Sequence, residues 1–551
     1  MSGSSGARSR EQGAGRRRAR AVLRGVTGLA VVALAAGTAR GVDLLPVEAA
    51  DGAAAARELT VVPSSVEVVC PGPAQLADPE GSTDPAFDPS PVGTSTSVAG
   101  AVLAPATVGT APLRGLDAAP VTGTVPAAGQ GVTVVGGAVA GASVLSAAPA
   151  PDGTAALAGS VVSTTAAGDL RSAAGGTCAQ PSPEQWLLGG TTTRGASTRL
   201  VVQNPSRTAV VVDVELWGPG GPVEAAGPTT MTVPAGGQAA RLLESVAPEQ
   251  RLLGVRVVAR GGLVTSYLQV GVLDGLRPEG VDLAVASVPA TRAVLAGVTT
   301  AGPGTGVRLD VLVPRPVAAA RDAAPGVPVT VTVLGPRGRV LVPGAESVEA
   351  VPGRLVSLDL DALEAGRYTV VADAPEPLVA SLTAVRRGRD GDDRAILAGR
   401  APAAAGPSLV ASPAGVRRTL VLADVPEDLD AVPAAVLGTG DPVDDDGLPV
   451  RLATRGVVVE VVGADGRPVA SLPVAVPVGG TVAVDLGARV PGAEVAAVVV
   501  RPTDEGPGVA WSLEASADAL DGTPGGLVTV LTPVAGAGAA RTVVVRASQG
   551  W

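Results

Sequence analysis

An internal repeat limits the folds that this chain can adopt. Three segments open alike, and their equivalent glycines fall at Gly190, Gly297 and Gly399, with spacings of 107 and 102 residues. The segments begin WLLGGTTTRGASTRLVVQNP at Trp186, AVLAGVTTAGPGTGVRLDVLVP at Ala293 and AILAGRAPAAAGPSLVASPAGVRRTLVLADVP at Ala395. Repetition at this length predicts an array of small domains rather than one large core.

Within each copy, Val-rich runs alternate with glycine-rich turns in the same order. The runs VVVDVELWGPGGPV (210–223), VTVTVLGPRGRV (329–340) and GVVVEVVGADGRPV (456–469) each read as a strand entering a tight turn. About seven short strands in about 100 residues are typical of an immunoglobulin-like or fibronectin-like sandwich. A propeller is less favoured, because a blade needs about 40–50 residues and each copy would have to supply two. The predicted fold is therefore all-β, with tandem sandwiches after an N-terminal signal or anchor helix.

These patterns divide the chain into seven parts. They are a basic tail (1–24), a signal sequence or transmembrane anchor (25–39), a tether (40–56), a β-rich N-terminal domain (57–182), repeat 1 (183–292), repeat 2 (293–394) and repeat 3 with the C-terminal strands (395–551). The N-terminal domain reads as different from the repeats, because a Pro/Ser/Asp-rich insert (71–93) interrupts its strands. The linkers hold little to bury, so we expect three separate cores and weak coupling between domains.

The N-terminus predicts export. Seven arginines between Arg8 and Arg24 precede the uncharged run GVTGLAVVALAAGTA (25–39). A basic flank before an apolar run is the arrangement of a signal sequence, with the positive end held in the cytoplasm. We expect a single-pass protein of the cell membrane, with the cytoplasmic membrane as the partner of the N-terminal helix. The alternative is a secreted protein, cleaved after Gly37-Thr38-Ala39.

Two cysteines, Cys70 and Cys178, are present. In an exported chain an even pair most simply forms a disulfide, and this one would fasten both ends of the N-terminal domain. A redox pair or a zinc site is disfavoured, because there is no CxxC and no His to complete the ligand set.

The amino-acid composition excludes most of the known kinds of catalytic site. The chain has no His and no Lys, so catalytic triads, histidine metal sites, Schiff bases and P-loops are excluded. Carboxylates remain, but they cluster in DPVDDDG (441–447) and in RGRDGDDR (387–394), which reads as a linker. A calcium loop at Asp441, Asp444 and Asp446 lacks the required donor spacing and the closing Glu. We therefore expect no enzyme, cofactor or metal, and a hydrolase using carboxylates alone ranks last.

The tryptophans and the net charge limit the classes of partner that the protein can be expected to bind. Trp186, Trp217, Trp511 and Trp551 are scattered and read as core or interface residues, and Trp186 is the candidate for an interaction surface because it opens repeat 1. The net charge is −10, which disfavours nucleic acid.

A resemblance to a known family rests on the order of several short motifs. A basic N-terminal segment and two cysteines are followed by Trp-x-x-Gly-Gly and then Leu-Val-x-x-Asn-Pro. The motif residues are Trp186, Gly189, Gly190, Leu200, Val201, Asn204 and Pro205. This order, over roughly residues 20–520, resembles an actinobacterial family known only as a domain of unknown function, number 5719. The resemblance implies an extracytoplasmic, membrane-anchored protein and carries over no catalytic residues.

The function expected from the sequence is therefore non-enzymatic. The leading hypothesis is an extracytoplasmic cell-envelope protein that acts as a structural, spacer or protein-interaction scaffold, by analogy with other sandwich arrays. The alternative is a cell-wall glycan-binding module or an accessory subunit of an envelope enzyme. An envelope protein or a glycan is thus the expected partner.

Overall fold

The structure, a computed structural model, describes residues 57–61, 65–76, 93–103, 113–121, 127–128, 131–148, 156–317, 324–436, 452–504, 508–535 and 541–545. The predicted tail, anchor and tether (1–56) lie outside these residues. None of the described helices is both long and apolar enough to cross a membrane. The chain forms two compact units, and the larger is Val62–Ala540. In the smaller unit, β1 (Arg57–Val61) pairs antiparallel with β37 (Arg541–Val545).

The larger unit is all-β, as predicted. The N-terminal domain contains β2 (Val66–Cys70), β3 (Thr94–Leu103), β4 (Leu113–Gly115), β5 (Ala127–Ala128), β6 (Val132–Ala138), β7 (Ser143–Ala147), β8 (Ala156–Thr165) and β9 (Ser172–Thr177). Repeat 1 contains β10 (Glu184–Gly190), β11 (Ala196–Asn204), β12 (Val210–Gly218), β13 (Gly221–Pro222), β14 (Thr230–Val233), β15 (Gly237–Leu242), a 3-10 turn (Leu243–Ser245), β16 (Leu253–Arg260), β17 (Thr265–Asp274) and β18 (Arg277–Val285).

Repeats 2 and 3 continue the series. Repeat 2 contains β19 (Ala290–Thr300), β20 (Val307–Leu312), β21 (Val327–Gly335), β22 (Gly338–Leu341), β23 (Ser347–Ala350), β24 (Leu355–Asp359), β25 (Gly366–Arg386) and β26 (Asp393–Ala398). Repeat 3 contains β27 (Ser408–Ala411), β28 (Arg417–Ala423), β29 (Ala434–Val436), β30 (Thr454–Gly463), β31 (Pro468–Pro477), β32 (Thr481–Asp485), α1 (Leu486–Arg489), β33 (Val495–Pro502), β34 (Ala510–Ala517), β35 (Leu527–Leu531) and β36 (Val534–Ala535).

Each repeat is a sandwich of two sheets whose strands pair antiparallel, except that β29 of repeat 3 pairs in parallel with β22 of repeat 2. In repeat 1 the sheets run β10-β16-β12 and β15-β11-β17-β18, and repeat 3 matches them with β27-β33-β30 and β32-β28-β34-β35. In repeat 2 a single 21-residue strand, β25, supplies both hairpin strands: its first half pairs with β19 and β21, and its second half with β20 and β26. Burial alternates along β12, with Val210, Val212 and Val214 inside, which shows why these sequences fit half-buried strands.

The N-terminal domain has the same topology, which differs from the sequence interpretation. Its sheets run β2-β7-β4 and β5-β6-β3-β8-β9, and apart from the short β5 its strands alternate between sheets in the same chain order as those of repeat 1. The insert that made this region look different lies between β2 and β3, and residues 77–92 of it fall outside the described residues. The larger unit therefore holds four copies of one sandwich.

The strands show that the glycines treated as equivalent in the sequence, Gly190, Gly297 and Gly399, do not occupy equivalent positions. Gly189 and Gly297 both adopt positive φ (103° and 94°) at a bulge in the first strand of their repeat, so they are the structural equivalents. Gly399 instead follows β26, the last strand of repeat 2. The boundary placed at 394/395 therefore falls inside a strand of repeat 2, and that placed at 292/293 falls inside β19.

The four sandwiches close into a ring around their last strands, β9, β18, β26 and β35. Neighbouring sandwiches share core residues: Val528 and Val530 of repeat 3 lie in the core of repeat 2, Ile396 of repeat 2 lies in that of repeat 1, and Ala173 of the N-terminal domain lies in that of repeat 3. Val201 and Tyr267 of repeat 1 share a cluster with the N-terminal domain, which completes the circle. The expectation of separate cores with weak coupling is therefore not met.

Candidate functional site

The cysteine prediction is confirmed. Cys70, at the end of β2, and Cys178, just after β9, form a disulfide across 108 residues of sequence, with a Cα–Cα distance of 4.2 Å. The bond joins the two sheets of the N-terminal sandwich. It also lies close to repeat 1, because the Gln203 side chain donates to the Cys70 carbonyl oxygen at 3.2 Å.

Trp186 lies inside the molecule, between repeats 1 and 2. Its side chain is 5% exposed, and its ring centroid is 5.0 Å from that of the fully buried Trp217. Arg256 covers the ring at 5.5 Å, and the indole N–H donates to Glu184 at 2.9 Å. Leu312 of repeat 2 belongs to the same cluster. Trp186 is therefore an interface residue within the chain, and its burial leaves no ring face for an external partner.

The two acidic segments have different outcomes. The segment 441–447, with Asp441, Asp444 and Asp446, lies outside the described residues. The segment 387–394, interpreted from sequence as a linker, is not one: Asp392 and Asp393 are buried, and Asp393 begins the central strand β26. Packing against three other domains explains this burial.

Asp282, in the middle of β18, joins all four sandwiches. One carboxylate oxygen, Oδ1, accepts hydrogen bonds at 3.0 Å from the Gly175 N–H of the N-terminal domain and from the Thr529 hydroxyl of repeat 3. The other oxygen, Oδ2, accepts the Ile396 N–H of repeat 2 at 2.7 Å. The last strand of each sandwich lies at the edge of its sheet, so some of its backbone N–H groups have no partner strand. A buried carboxylate at this position accepts hydrogen bonds from such groups.

Asp393, in β26, complements Asp282 from the next strand of the ring. Its Oδ2 accepts the Ala173 N–H of the N-terminal domain at 3.1 Å and the Val528 N–H of repeat 3 at 2.7 Å. We call Asp282, Asp393 and the strands β9, β18, β26 and β35 the central hub. Both carboxylates are fully buried, so this pair of acids is out of reach of a substrate.

Burial dominates the protonation of the two hub carboxylates. It raises the pKa of Asp282 to about 8, although the N–H groups of Gly175 and Ile396 lower it in part, and the charge of nearby Asp393 adds to the rise. Burial also raises the pKa of Asp393 to about 7 against the lowering effect of the Val528 and Ala173 N–H groups. The hub therefore takes up protons near neutral pH.

The loops that precede the central strands meet at one end of the hub. The buried Arg171 donates to the Asp392 carbonyl at 2.7 Å and to the Asp521 carboxylate at 3.3 Å, so it joins three sandwiches. Arg277 of repeat 1 donates to Asp392 at 2.9 Å. Hydrogen bonds from Arg387, Gly388 and Arg277 outweigh burial, so the pKa of Asp392 lies below its ordinary value. We call loops 166–171, 274–277, 386–392 and 518–526 the loop end.

Two large apolar side chains are exposed at the loop end. Leu276 is 98% exposed and Leu520 is 74% exposed. Their loops are held in place, because Arg277 donates to the Gly388 carbonyl at 2.9 Å and the Leu520 N–H donates to the Ala166 carbonyl at 3.5 Å. Binding surfaces are often formed by exposed residues on loops that a rigid scaffold holds in position.

Sequence reasoning missed the central hub, although one signal for it was present. Asp282 lies in the run VDLAV between Val281 and Leu283, which are both buried. A charge inside a strand that is apolar on both faces marks a buried polar site. Asp393 gave a weaker signal, because it adjoins a charged loop.

The fold and its central hub define an all-β protein of four sandwich domains joined by buried carboxylates. Among the described residues, no group of three or more acids or cysteines could bind a metal ion. Residues 133–447 match the family of unknown function DUF5719, and the chain belongs to that family. No curated protein matches the chain.

Proposed function

We propose that this protein is a non-enzymatic scaffold of the cell envelope, which holds a protein-binding surface outside the cytoplasm. The observation that carries the proposal is the central hub. Two buried carboxylates accept N–H or hydroxyl groups from strands of other sandwiches, so the four domains act as one body. A rigid body of this kind suits the display of loops at fixed positions.

The compartment is part of the same proposal. A disulfide persists in oxidising surroundings, so the Cys70–Cys178 bond supports a position outside the cytoplasm. The basic and apolar N-terminal sequence supports export, with residues 25–39 as a single-pass anchor. Protease added to intact cells should digest residues beyond 40, and protection until lysis would contradict export. A mature N-terminus at Arg40 would contradict the anchor alone.

The loop end is the surface that we assign to the partner. Leu276 and Leu520 offer apolar contacts, and Arg277 and Arg387 flank them at the surface. A protein partner suits this mixture, because interface centres combine apolar side chains with arginine. The alternative of glycan binding would use exposed aromatic rings. The rings of Trp186, Trp217, Trp511, Tyr267 and Tyr368 are all buried, so these five give it no support.

A photo-cross-linking experiment tests the scaffold directly. A benzophenone amino acid replaces Leu276 or Leu520 in the full chain, and Leu263, an exposed leucine (49%) in the turn between β16 and β17, is the matched control. Irradiation of intact cells should yield protein adducts from positions 276 and 520 and none from position 263. Equal adducts from all three positions, or none, would contradict the assigned surface. Retention on purified cell wall without protein adducts would favour glycan binding.

A further inference from the structure

A cavity of about 470 Å³ lies where repeats 1, 2 and 3 meet, away from the loop end. Its walls are apolar and include Leu295, Leu397 and Val509, with the exposed Val288 also among the lining residues. The volume falls in the range of about 300–1,000 Å³ that is usual for small-molecule sites, which often form between domains. The cavity is therefore large enough to bind a ligand, and its walls favour an apolar one.

Two polar groups of the cavity lining have hydrogen-bond partners within the protein. The Trp511 indole N–H donates to the Ser408 hydroxyl at 2.6 Å, and the Thr532 N–H donates to the Thr177 hydroxyl at 2.9 Å. Arg400 differs, because its guanidinium makes one long contact, 3.5 Å to the Pro533 carbonyl, and no described carboxylate forms an ion pair with it.

The surroundings of Arg400 are those of a cation that faces a concave apolar wall. Arg400 is an exposed residue of the cavity lining, and nearby protein atoms lower the pKa of its guanidinium by partial burial. No described carboxylate neutralises this cation, so an anion that enters the cavity would gain a favourable contact with it. The arginine fork fits the two oxygens of a carboxylate.

We propose that this cavity binds an anionic amphiphile, an acyl chain with one carboxylate head group. The carboxylate pairs with the Arg400 guanidinium, and the chain packs along Leu295, Leu397 and Val509. The largely apolar walls disfavour a polar tail, because most of its polar groups would be buried without partners. The net charge of −10 gives no general attraction for anions, so recognition depends on this one arginine. This site is independent of the scaffold role proposed above.

Calorimetry on the purified full chain tests the site with two probes of equal chain length. Decanoate carries the carboxylate and decanol lacks it, and both are used below the concentration at which they aggregate. Decanoate should bind saturably at one site per chain, and about tenfold more tightly than decanol, as expected for one charge-assisted pair. Saturable binding of decanol at equal strength, or no saturable binding of decanoate, would overturn the proposal.

Variants separate the contribution of Arg400 to binding from that of the apolar cavity walls. Arg400→Gln should weaken decanoate binding about tenfold and leave decanol unchanged. Arg194→Gln, in the exposed turn between β10 and β11, is the matched control and should change neither. Ala403→Leu, which adds bulk at the half-buried cavity lining, should weaken both probes. Equal decanoate binding by wild type and Arg400→Gln would refute the site, and native circular dichroism of each variant excludes misfolding as the cause.

Discussion

At the centre of the ring, Asp282 and Asp393 combine a structural role with an unusual protonation. Each accepts two or more hydrogen bonds from strands of other sandwiches, and each is fully buried. Burial raises both pKa values, to about 8 for Asp282 and about 7 for Asp393. An unfolded aspartate titrates near 4, so from about pH 4 to pH 8 the folded protein binds protons that the unfolded chain has released.

The first prediction follows from this difference in protons. Because the unfolded state binds fewer protons in this window, the free energy of unfolding should fall as pH rises, by about 2 kcal/mol or more between pH 5 and pH 8. Urea unfolding at constant ionic strength across that range measures it. Asp282→Asn should flatten the slope, whereas Asp274→Asn, at an exposed position, should leave it unchanged. A stability that rises steadily to pH 8 would contradict the assignment.

Gly175 in β9 shows why the central strand of the N-terminal domain is built from small residues. A Cβ atom at this position would lie 2.7 Å from the Thr529 methyl group and 2.8 Å from the Val161 carbonyl oxygen. The second prediction is that Gly175→Ala lowers the free energy of unfolding by about 1–3 kcal/mol, because the carbonyl oxygen belongs to the backbone and cannot turn away. Gly220→Ala, where nothing lies within 4 Å, is the control measured beside it by urea unfolding. Equal stability of both variants would show that the packing around Gly175 is less tight than the structure indicates.

Among the elements, β35 serves two sandwiches at once. It pairs with β34 in repeat 3, yet its Val528 and Val530 pack in the core of repeat 2. The third prediction is that Val530→Ala costs about 1–2 kcal/mol and speeds hydrogen exchange in β20 and β21 of repeat 2 as well as in repeat 3. Val469→Ala, at an exposed residue of repeat 3, is the control. Exchange that changes in repeat 3 alone would restore the picture of independent domains.

The disulfide also acts beyond its own sandwich. Chain entropy gives a bond across 108 residues a stabilisation of about 4–5 kcal/mol. The fourth prediction is that Cys70→Ser with Cys178→Ser lowers the melting temperature of the whole larger unit, because β9 contacts repeats 1 and 3 through Gly175 and Thr177. Calorimetry measures the loss. Two transitions, with only the smaller one shifted, would mean that the N-terminal domain melts alone.

Strands and their alternation could be predicted from the sequence because both depend on neighbouring residues. The Val-rich runs at 210–223, 329–340 and 456–469 are strands followed by turns or a second strand. The pairing of Ala395–Gly399 with repeat 2 could not be predicted, because a short apolar run fits the last strand of one sandwich as well as the first strand of the next. The N-terminal copy was missed because the insert at 71–93 interrupts its strands, and because its last strand, SAAGGT, has none of the valines that mark the other copies.

For the molecule as a whole, the closure of the four sandwiches into a ring could not be predicted from the sequence, and the reason is physical. The hydrogen bonds of Asp282 and Asp393 connect residues 107 to 247 positions apart, and no local pattern records such separations. The same is true of the cavity beside Arg400, which three repeats build together. Composition did indicate the absence of familiar catalytic groups, since the lack of His and Lys needs no structure to interpret.

The fifth prediction separates a closed ring from a string of domains by overall size. A compact body of the roughly 480 residues in Val62–Ala540 should have a radius of gyration of about 23 Å. The same relation gives each sandwich of about 100 residues a radius of gyration of about 13 Å, and four such bodies touching in a line would have one of about 40 Å together. Small-angle X-ray scattering of residues 62–540 at pH 6, where the hub carboxylates are largely protonated, should give a value near the first figure. A value near the second would mean that the sandwiches fold without closing, and the loop end would then lack the support that its role as a fixed binding surface requires.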